Sequence, residues 1–262
     1  MLDLKLKLKN KFRPYKRKLQ AIFRRMSVAP AVIQVYVGGD YETRYTLVNF
    51  PSLYSPLKSC ACFYDVELYG DDGECFGKGS LELKPYGSVE VIPSMLFKRK
   101  LPDYGFFSAK IRPQKKFVYR HLGQIRSHIY ALISDPLQTS FVLIHPQTFI
   151  GQETTENYQW LSAVNIDARH VRKIIVFQPN PTSKLFKSKY YLFSYINNKK
   201  QKIADFDILI PPMGTIKIEW DLNILDVYDG FVSVAASALP TSNGKPILFN
   251  YFKDGSFTGM HG

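Results

Sequence analysis

One order of sequence features occurs twice along this chain, and that internal repeat is the strongest constraint on its fold. In each copy an apolar strand runs into an Asn/Pro stop, and a second strand ends in a polar turn. Segments 83–91 and 210–218 follow, and in both of them Pro, one residue, Gly and a hydroxyl residue precede an alternating strand. This pattern is typical of a turn that opens into a strand with one buried face.

The correspondence continues to the end of both copies. Strands that begin with glycine follow at 105–111 and 230–236, and the last strands end at His145 and His261. Matches in one order at similar spacing favour a tandem duplication. The alternative is a single large β-sandwich whose strands share only their turn chemistry.

The composition favours strands over helices. The chain has 19 Phe and 17 Tyr besides frequent Val and Ile, and these residue types suit pleated, half-buried strands. Short apolar segments separated by Gly, Pro and Asn predict an all-β fold of two tandem antiparallel β-sandwich, jelly-roll-like units. The predicted divisions are an N-terminal arm at 1–30, a first unit at 31–151 and a second unit at 152–262. We expect Gln152 to Asn157 to form the linker and Trp160 to lie in the second core.

Most of the formal net charge of +13 lies in the N-terminal arm. Residues 1–26 carry ten Lys or Arg against Asp3 alone, so the two units are only mildly basic. From Pro14 the apolar residues recur at helical spacing, which predicts a short basic amphipathic helix. Its partner could be an anionic membrane surface, nucleic-acid phosphates, or the surface of its own or a neighbouring subunit in a homo-oligomer. Because the units contain no nucleic-acid module, nucleic acid is the least favoured partner.

Neither a membrane-spanning segment nor a secretion signal is apparent in the sequence. No apolar run approaches the 18 residues of a span, and the basic stretch is not followed by the apolar block of a signal peptide. We therefore expect a cytoplasmic protein, with peripheral membrane association through the arm as an alternative.

The richest polar cluster predicted from the sequence is centred on Arg126, His128 and Tyr130. These residues alternate along one segment, so their side chains should project from one face of a strand. His121 and His145 would add two imidazoles. Arg and His donate hydrogen bonds and Tyr rings stack on apolar sugar faces, so we expect a glycan or an anion to bind here. The competing interpretation is a solvated sheet face without a ligand.

A second set of candidates comes from the ends of the two copies. His145 and His261 occupy equivalent places, and Tyr251 precedes the last strand as Tyr130 does in the first copy. Two equivalent imidazoles could converge on one cleft, as metal ligands or as a pH-sensitive pair. Neither lies in a metal-binding motif, so the competing interpretation is a strand-end histidine bonded to a backbone carbonyl. All three residues are included in the predicted ligand-binding set.

Motifs for catalysis, metals and cofactors do not occur in the sequence. Cys60, Cys62 and Cys75 lack the paired spacing of a zinc site, and we expect Cys60 and Cys62 to be small core residues. Nucleophile-elbow, phosphate-binding and dinucleotide-binding motifs are also missing. The sequence therefore predicts a non-catalytic binding or scaffolding protein that recognises a glycan or a protein partner. The alternative is an enzyme with a histidine-based centre, with or without a metal ion, between the two units.

Overall fold

The computed structural model of the protein is nearly all β. It describes residues 27–54, 59–115, 119, 124–135, 137, 139–145, 148–151, 160–162, 166–196, 199–225, 227, 230–241 and 246–261, with the backbone alone at 148, 196 and 261. The predicted helix of the N-terminal arm, His121 and the linker from Gln152 to Asn157 lie outside the described residues.

The first half of the described chain (27–151) contains strands, a short α-helix and a 3₁₀ turn. The helix α1 spans Pro93–Phe97 and the 3₁₀ turn spans Phe50–Tyr54. The strands are β1 (Ser27–Val28), β2 (Val32–Val37), β3 (Glu42–Val48), β4 (Cys62–Gly70), β5 (Cys75–Leu83), β6 (Ser88–Val91), β7 (Tyr104–Pro113), β8 (Gln124–Ile125), β9 (Ile129–Ser134), β10 (Phe141–Ile144) and β11 (Thr148–Phe149).

The second half (160–261) is built from strands joined by turns. Its longest element is a hairpin made by the fourth and fifth of the strands given below, which pair along their whole length. The strands are β12 (Trp160–Leu161), β13 (Ile166–Asp167), β14 (Val171–Pro179), β15 (Phe186–Ile196), β16 (Lys199–Ile210), β17 (Thr215–Asp221), β18 (Phe231–Ala236), β19 (Ile247–Phe252) and β20 (Phe257–His261).

These strands form four antiparallel sheets, and a short parallel pair joins β1 to β8. Sheet I has the order β11-β2-β7-β4-β5 and sheet II the order β10-β9-β3-β6. Sheet III has the order β12-β18-β15-β16, with β13 also paired to β18, and sheet IV the order β20-β19-β14-β17. The two halves have corresponding strand orders. Sheet II (β10-β9-β3-β6) corresponds to sheet IV (β20-β19-β14-β17), and the part β2-β7-β4-β5 of sheet I corresponds to β12-β18-β15-β16 of sheet III. The all-β prediction is confirmed, while the domain boundaries and the jelly-roll description stay predictions.

The repeated Pro-x-Gly segment forms the same turn in both halves. Tyr86 and Met213 lie between the Pro and the Gly with φ angles of 61° and 58°, and a preceding Pro makes this the type II geometry. Asn49 and Asn180 bind the two turns, because the Nδ2 atom of each donates to the first carbonyl of its turn at 3.0 Å. Strands β6 and β17 start directly after these turns, as the sequence predicted.

Apolar side chains fill the space between the sheets of each half. The rings of Tyr45 in β3 and Phe107 in β7 stack with their centroids 4.2 Å apart, which joins sheet II to sheet I. Cys60 and Cys62 are buried in the same cluster, and Trp160 is buried in the cluster of the second half. The predictions that these three residues lie in the core are therefore confirmed.

Sheet IV contacts both sheets of the first half, sheet I through β17 and β7 and sheet II through β20 and β10. Every residue of β2 is buried, as is the end of β14, because these strands have neighbours on both faces of their sheets. Tyr104 contacts Phe177 from the other half with ring centroids 5.8 Å apart. The backbones also approach closely, since a Cβ on Gly73 would lie 2.1 Å from the carbonyl oxygen of Pro212. Only glycine fits at this point, where φ is also +86°.

Candidate functional site

Arg126, His128 and Tyr130 lie on one side of β9 and of the segment that precedes it. Ser127 and Ile129, which alternate with them, are buried. The alternation that the sequence predicted is therefore present, although only Tyr130 belongs to a strand. The structure brings these three side chains to one surface, and their role in ligand binding stays a prediction.

The imidazole of His128 is in contact with an aromatic ring. It stacks on Phe50 with the centroids 3.9 Å apart, and Phe50 in turn contacts Tyr54 at 5.3 Å. Burial lowers the pKa of His128, and the positive charge of Arg126 lowers it further. The ring is therefore neutral at pH 7 and can act as a hydrogen-bond acceptor or an apolar surface.

The other candidates occupy different parts of the fold. His145 follows β10 and is exposed, next to Tyr130 by continuation of the β9–β10 pairing. Tyr251 is buried in sheet IV, where its ring lies 5.7 Å from that of Phe257, and burial raises its pKa. His261 pairs through its backbone with β19, and its side chain lies outside the described residues. Tyr251 is thus a buried residue of sheet IV, and its ligand-binding role and a meeting of the two imidazoles both stay predictions.

Metal binding and membrane crossing find no support in the described part of the chain. Among those residues, no group of three or more His, Cys, Asp or Glu side chains is placed to hold a metal ion. Their helices are also too short to cross a bilayer.

An open row of aromatic rings lies on the outer surface of sheet III. Tyr191, Phe193 and Tyr195 alternate along β15, and the residues between them are buried. Phe231 in β18 is the cross-strand neighbour of Tyr195 and is 45% exposed. We call these four residues the aromatic face. The rings of Tyr191 and Phe193 are tilted by 32° with their centroids 5.9 Å apart, so they form one continuous apolar strip.

Lysines from β16 lie over this strip. The Nζ atom of Lys200 is 3.9 Å from the ring centroid of Phe193, and that of Lys202 is 6.0 Å from the ring of Tyr191. Both distances are within the range of cation–π contacts. The hydrogen bond from Lys202 lowers the pKa of Asp205. Together β15 and β16 carry five lysines and two aspartates, so the surface around the rings is positively charged.

This arrangement can bind a ligand but has no group placed for covalent chemistry among the described residues of the face. Aromatic rings provide flat apolar surfaces, and tyrosine adds a hydroxyl that donates and accepts hydrogen bonds. Exposed lysines donate hydrogen bonds on flexible stems and attract anions. Such a surface fits a ligand with alternating apolar and polar faces.

Sequence reasoning missed the aromatic face, although a signal for it was present. The segment from Tyr190 to Ile196 was interpreted only as the second strand of the second copy. Its alternation separates Tyr190 and Leu192, which are buried, from the three rings on the other side. The pattern could have identified the two sides of the strand, but it carries no information on which side another sheet covers.

Comparison with known proteins gives no family for this chain. No family model matches the sequence, and no curated protein matches it. Among solved structures, a β-glucuronidase from glycoside hydrolase family 2 is similar over 87% of this chain and 23% of its own length, at 8% sequence identity and a TM-score of 0.21. This chain therefore spans less than a quarter of that enzyme, and a TM-score at this level carries no argument about function.

Proposed function

We propose that this protein is a non-catalytic glycan-binding protein built from two tandem β-sandwich units, and that the aromatic face is its binding surface. The observation that carries the proposal is the row of accessible rings on β15 and β18. Alternate residues of a strand are about 6.7 Å apart, so successive rings can contact successive parts of one extended chain. The corresponding strand orders of the two halves support the duplication.

Sugars match this surface because each sugar ring combines an apolar C–H face with a rim of hydroxyl groups. The apolar face can stack on Phe193, and the hydroxyls can accept hydrogen bonds from Lys200 and Lys202. The excess of lysine over aspartate on the hairpin favours glycans that carry carboxylate or sulfate groups. We therefore propose an acidic polysaccharide as the preferred ligand.

Binding of the full-length protein to immobilised polysaccharides tests this proposal. Alginate and hyaluronan serve as acidic ligands, pullulan as a neutral one, and all measurements use 150 mM salt. We expect alginate or hyaluronan to bind, and Phe193→Ala to weaken the affinity at least tenfold. Higher salt should also weaken binding, because it screens the exposed lysines.

Glu67→Ala is the matched control, because Glu67 occupies the corresponding outward position on β4 in the first half. Both variants keep the basic arm, so a difference between them reports on the aromatic face. The affinity of the control should stay within twofold of the unmodified protein. The proposal is wrong if none of the polysaccharides binds, or if both variants lose affinity equally. It is also wrong if single-stranded oligothymidylate binds more tightly than any glycan and depends on Phe193.

A further inference from the structure

A second candidate site is a pocket of about 570 Å³ in the second half. One wall comes from β13 and the start of β14, and the other from β19 and β20. Ile166, Val171, Phe252 and Met260 supply apolar surface to it, and Asn250 lines it with a polar side chain. The volume lies within the range of small-molecule sites, which combine apolar walls with a few polar groups.

The polar side chain in this pocket is unusual because its oxygen is not hydrogen-bonded. Asn250 is only 3% exposed, and its Oδ1 atom has no hydrogen-bond partner among the described residues. Buried polar atoms normally have partners, since an unsatisfied acceptor destabilises the fold. An amide retained at this cost suggests that a ligand supplies the missing donor.

The first half shows that the scaffold does not need this amide. Each half has a row of three inward-facing residues on neighbouring strands. In the first half the row crosses β3, β9 and β10, and in the second half it crosses β14, β19 and β20. Both rows start six residues before the asparagine that binds the Pro-x-Gly turn. The first inner row is Thr43–Ile133–Val142, and the second inner row is Ile174–Asn250–Thr258. A buried isoleucine and valine in one half are therefore replaced by an asparagine and a threonine that line the pocket of the other.

The charges around the pocket balance one another. Asp167 and Arg169 form an ion pair with an Nη2–Oδ2 distance of 2.6 Å. Asp254 accepts two hydrogen bonds from Ser256, and Lys253 next to it adds the opposite charge. The Asp, Arg and Lys side chains that line the pocket thus carry both signs in equal number, and together they give an ionic ligand no net attraction. A neutral ligand with hydroxyl groups can instead use both the donors and the acceptors.

From these observations we propose that the pocket binds a single neutral sugar ring. A hydroxyl of the ring donates to Oδ1 of Asn250, and its apolar face contacts Phe252 and Met260. The choice of a sugar rests on the proposed function. The position of the pocket also allows one ligand to occupy both the pocket and the aromatic face. Asp167 is the cross-strand neighbour of Phe231, so the pocket adjoins the aromatic face and can receive the end of a glycan bound there.

Saturation-transfer NMR on the full-length protein tests the pocket directly. The probes are the methyl glycosides of glucose, galactose, mannose and N-acetylglucosamine, with adenosine as a ligand of another class. At least one glycoside should bind with a millimolar Kd. We expect Asn250→Leu, which has nearly the same shape, to weaken that binding at least tenfold and also to raise Tm. Glu67→Ala should leave it unchanged, because Glu67 lies on the outer surface of the first half and belongs to neither the pocket nor the aromatic face.

The outcomes separate this inference from the proposed function. If polysaccharide binding fails but a glycoside still needs Asn250, only the role of the aromatic face is wrong. If no glycoside binds, if Asn250→Leu binds like the unmodified protein, or if adenosine alone binds, the sugar pocket is wrong. If Asn250→Leu lowers Tm, Thr258→Val provides the second test, and unchanged glycoside affinity in that variant also overturns the inference.

Discussion

Strands β4 and β15 hold corresponding places in sheets I and III but present different chemistry to the outside. Each has a fully buried tyrosine, Tyr64 in β4 and Tyr190 in β15. The next two outward-facing residues after this tyrosine are acidic in β4 and aromatic in β15. The inward residues keep the sandwich together in both cases, so the difference on the outer surface is not dictated by folding.

The acidic residues of β4 are satisfied within the protein. Asp65 accepts two hydrogen bonds of 3.1 Å from Arg112, and Glu67 forms an ion pair of 2.7 Å with Lys78. Such exposed pairs contribute little to stability, but they leave a polar surface without an apolar strip. The rings of β15 instead expose apolar area, and contiguous exposed apolar area is typical of an interaction site.

The two halves also differ in a ring on the neighbouring strand, which is buried in the first half and open in the second. Phe106 follows Gly105 in β7, is fully buried, and stacks on Tyr69 at 5.0 Å. Phe231 follows Gly230 at the corresponding place in β18 and is 45% exposed. The first half therefore uses its ring for packing, and the second half keeps an accessible one.

The largest effect is expected when the middle residue of an inner row is substituted. Ile133→Asn places an amide in the first half where the second has Asn250, and Ile133 is fully buried. The variant loses apolar burial and gains an unsatisfied polar group, so it should lower the free energy of unfolding by about 4 kcal/mol. Urea denaturation followed by tryptophan fluorescence measures this change.

An apolar substitution at Asn250 is the control for that measurement. Asn250→Leu should increase the free energy of unfolding, because it removes an acceptor that has no partner. Changes of opposite sign in the free energy of unfolding would show that a polar residue at this position destabilises both halves. Asn250 would then be retained for a reason other than folding. Destabilisation by both substitutions would contradict this and would make Asn250 a structural residue.

A smaller effect is expected at the asparagines that bind the two turns. Asn180 donates to three carbonyl oxygens and accepts a bond from Thr182. Asn49 donates to two, and its Oδ1 has no partner among the described residues. Because lost partners leave buried carbonyls unsatisfied, Asn180→Ala should cost about 3 kcal/mol and Asn49→Ala about 2 kcal/mol. Thermal unfolding of both variants checks the order, and an equal or reversed loss would show that the turns are held differently.

Local sequence rules predicted the features that depend on neighbouring residues. The Pro-x-Gly segments became turns because Pro favours the first turn position and the following strand has a buried face. The alternation in the segment around Arg126 agrees with the burial of Ser127 and Ile129, because alternate side chains of an extended segment point to opposite sides. Cys60 and Trp160 were placed in the core by their residue type and position.

The features that sequence reasoning missed depend on contacts between distant residues. Phe231 and Phe106 follow glycines at corresponding places, and only the packing of sheet IV on sheet I separates a buried ring from an open one. Asn250 lies in a strand whose other residues are apolar, and nothing local indicates that its oxygen lacks a partner. Tyr251, which the sequence placed in the ligand-binding set, is buried where Tyr41 from the other half contacts it, and its ligand-binding role stays a prediction.

The smallest expected effect concerns the exposed acid pairs of the two halves. The hydrogen bonds from Arg169 lower the pKa of Asp167 to about 2, and that from Arg112 lowers the pKa of Asp65. A carboxyl whose pKa is depressed in the folded state contributes stability above its unfolded pKa of about 3.9, and this contribution disappears as the pH falls through the folded value. Between pH 4 and pH 2 the Asp167–Arg169 pair should therefore persist while ordinary aspartates become protonated.

NMR titration of the carboxyl carbons measures both values, and Arg169→Gln should return the pKa of Asp167 towards its usual range without changing that of Asp65. If the pKa of Asp167 stays low in this variant, the side chain of Arg169 is not what lowers it. The charge of Asp167 at the pocket would then be stabilised by other groups.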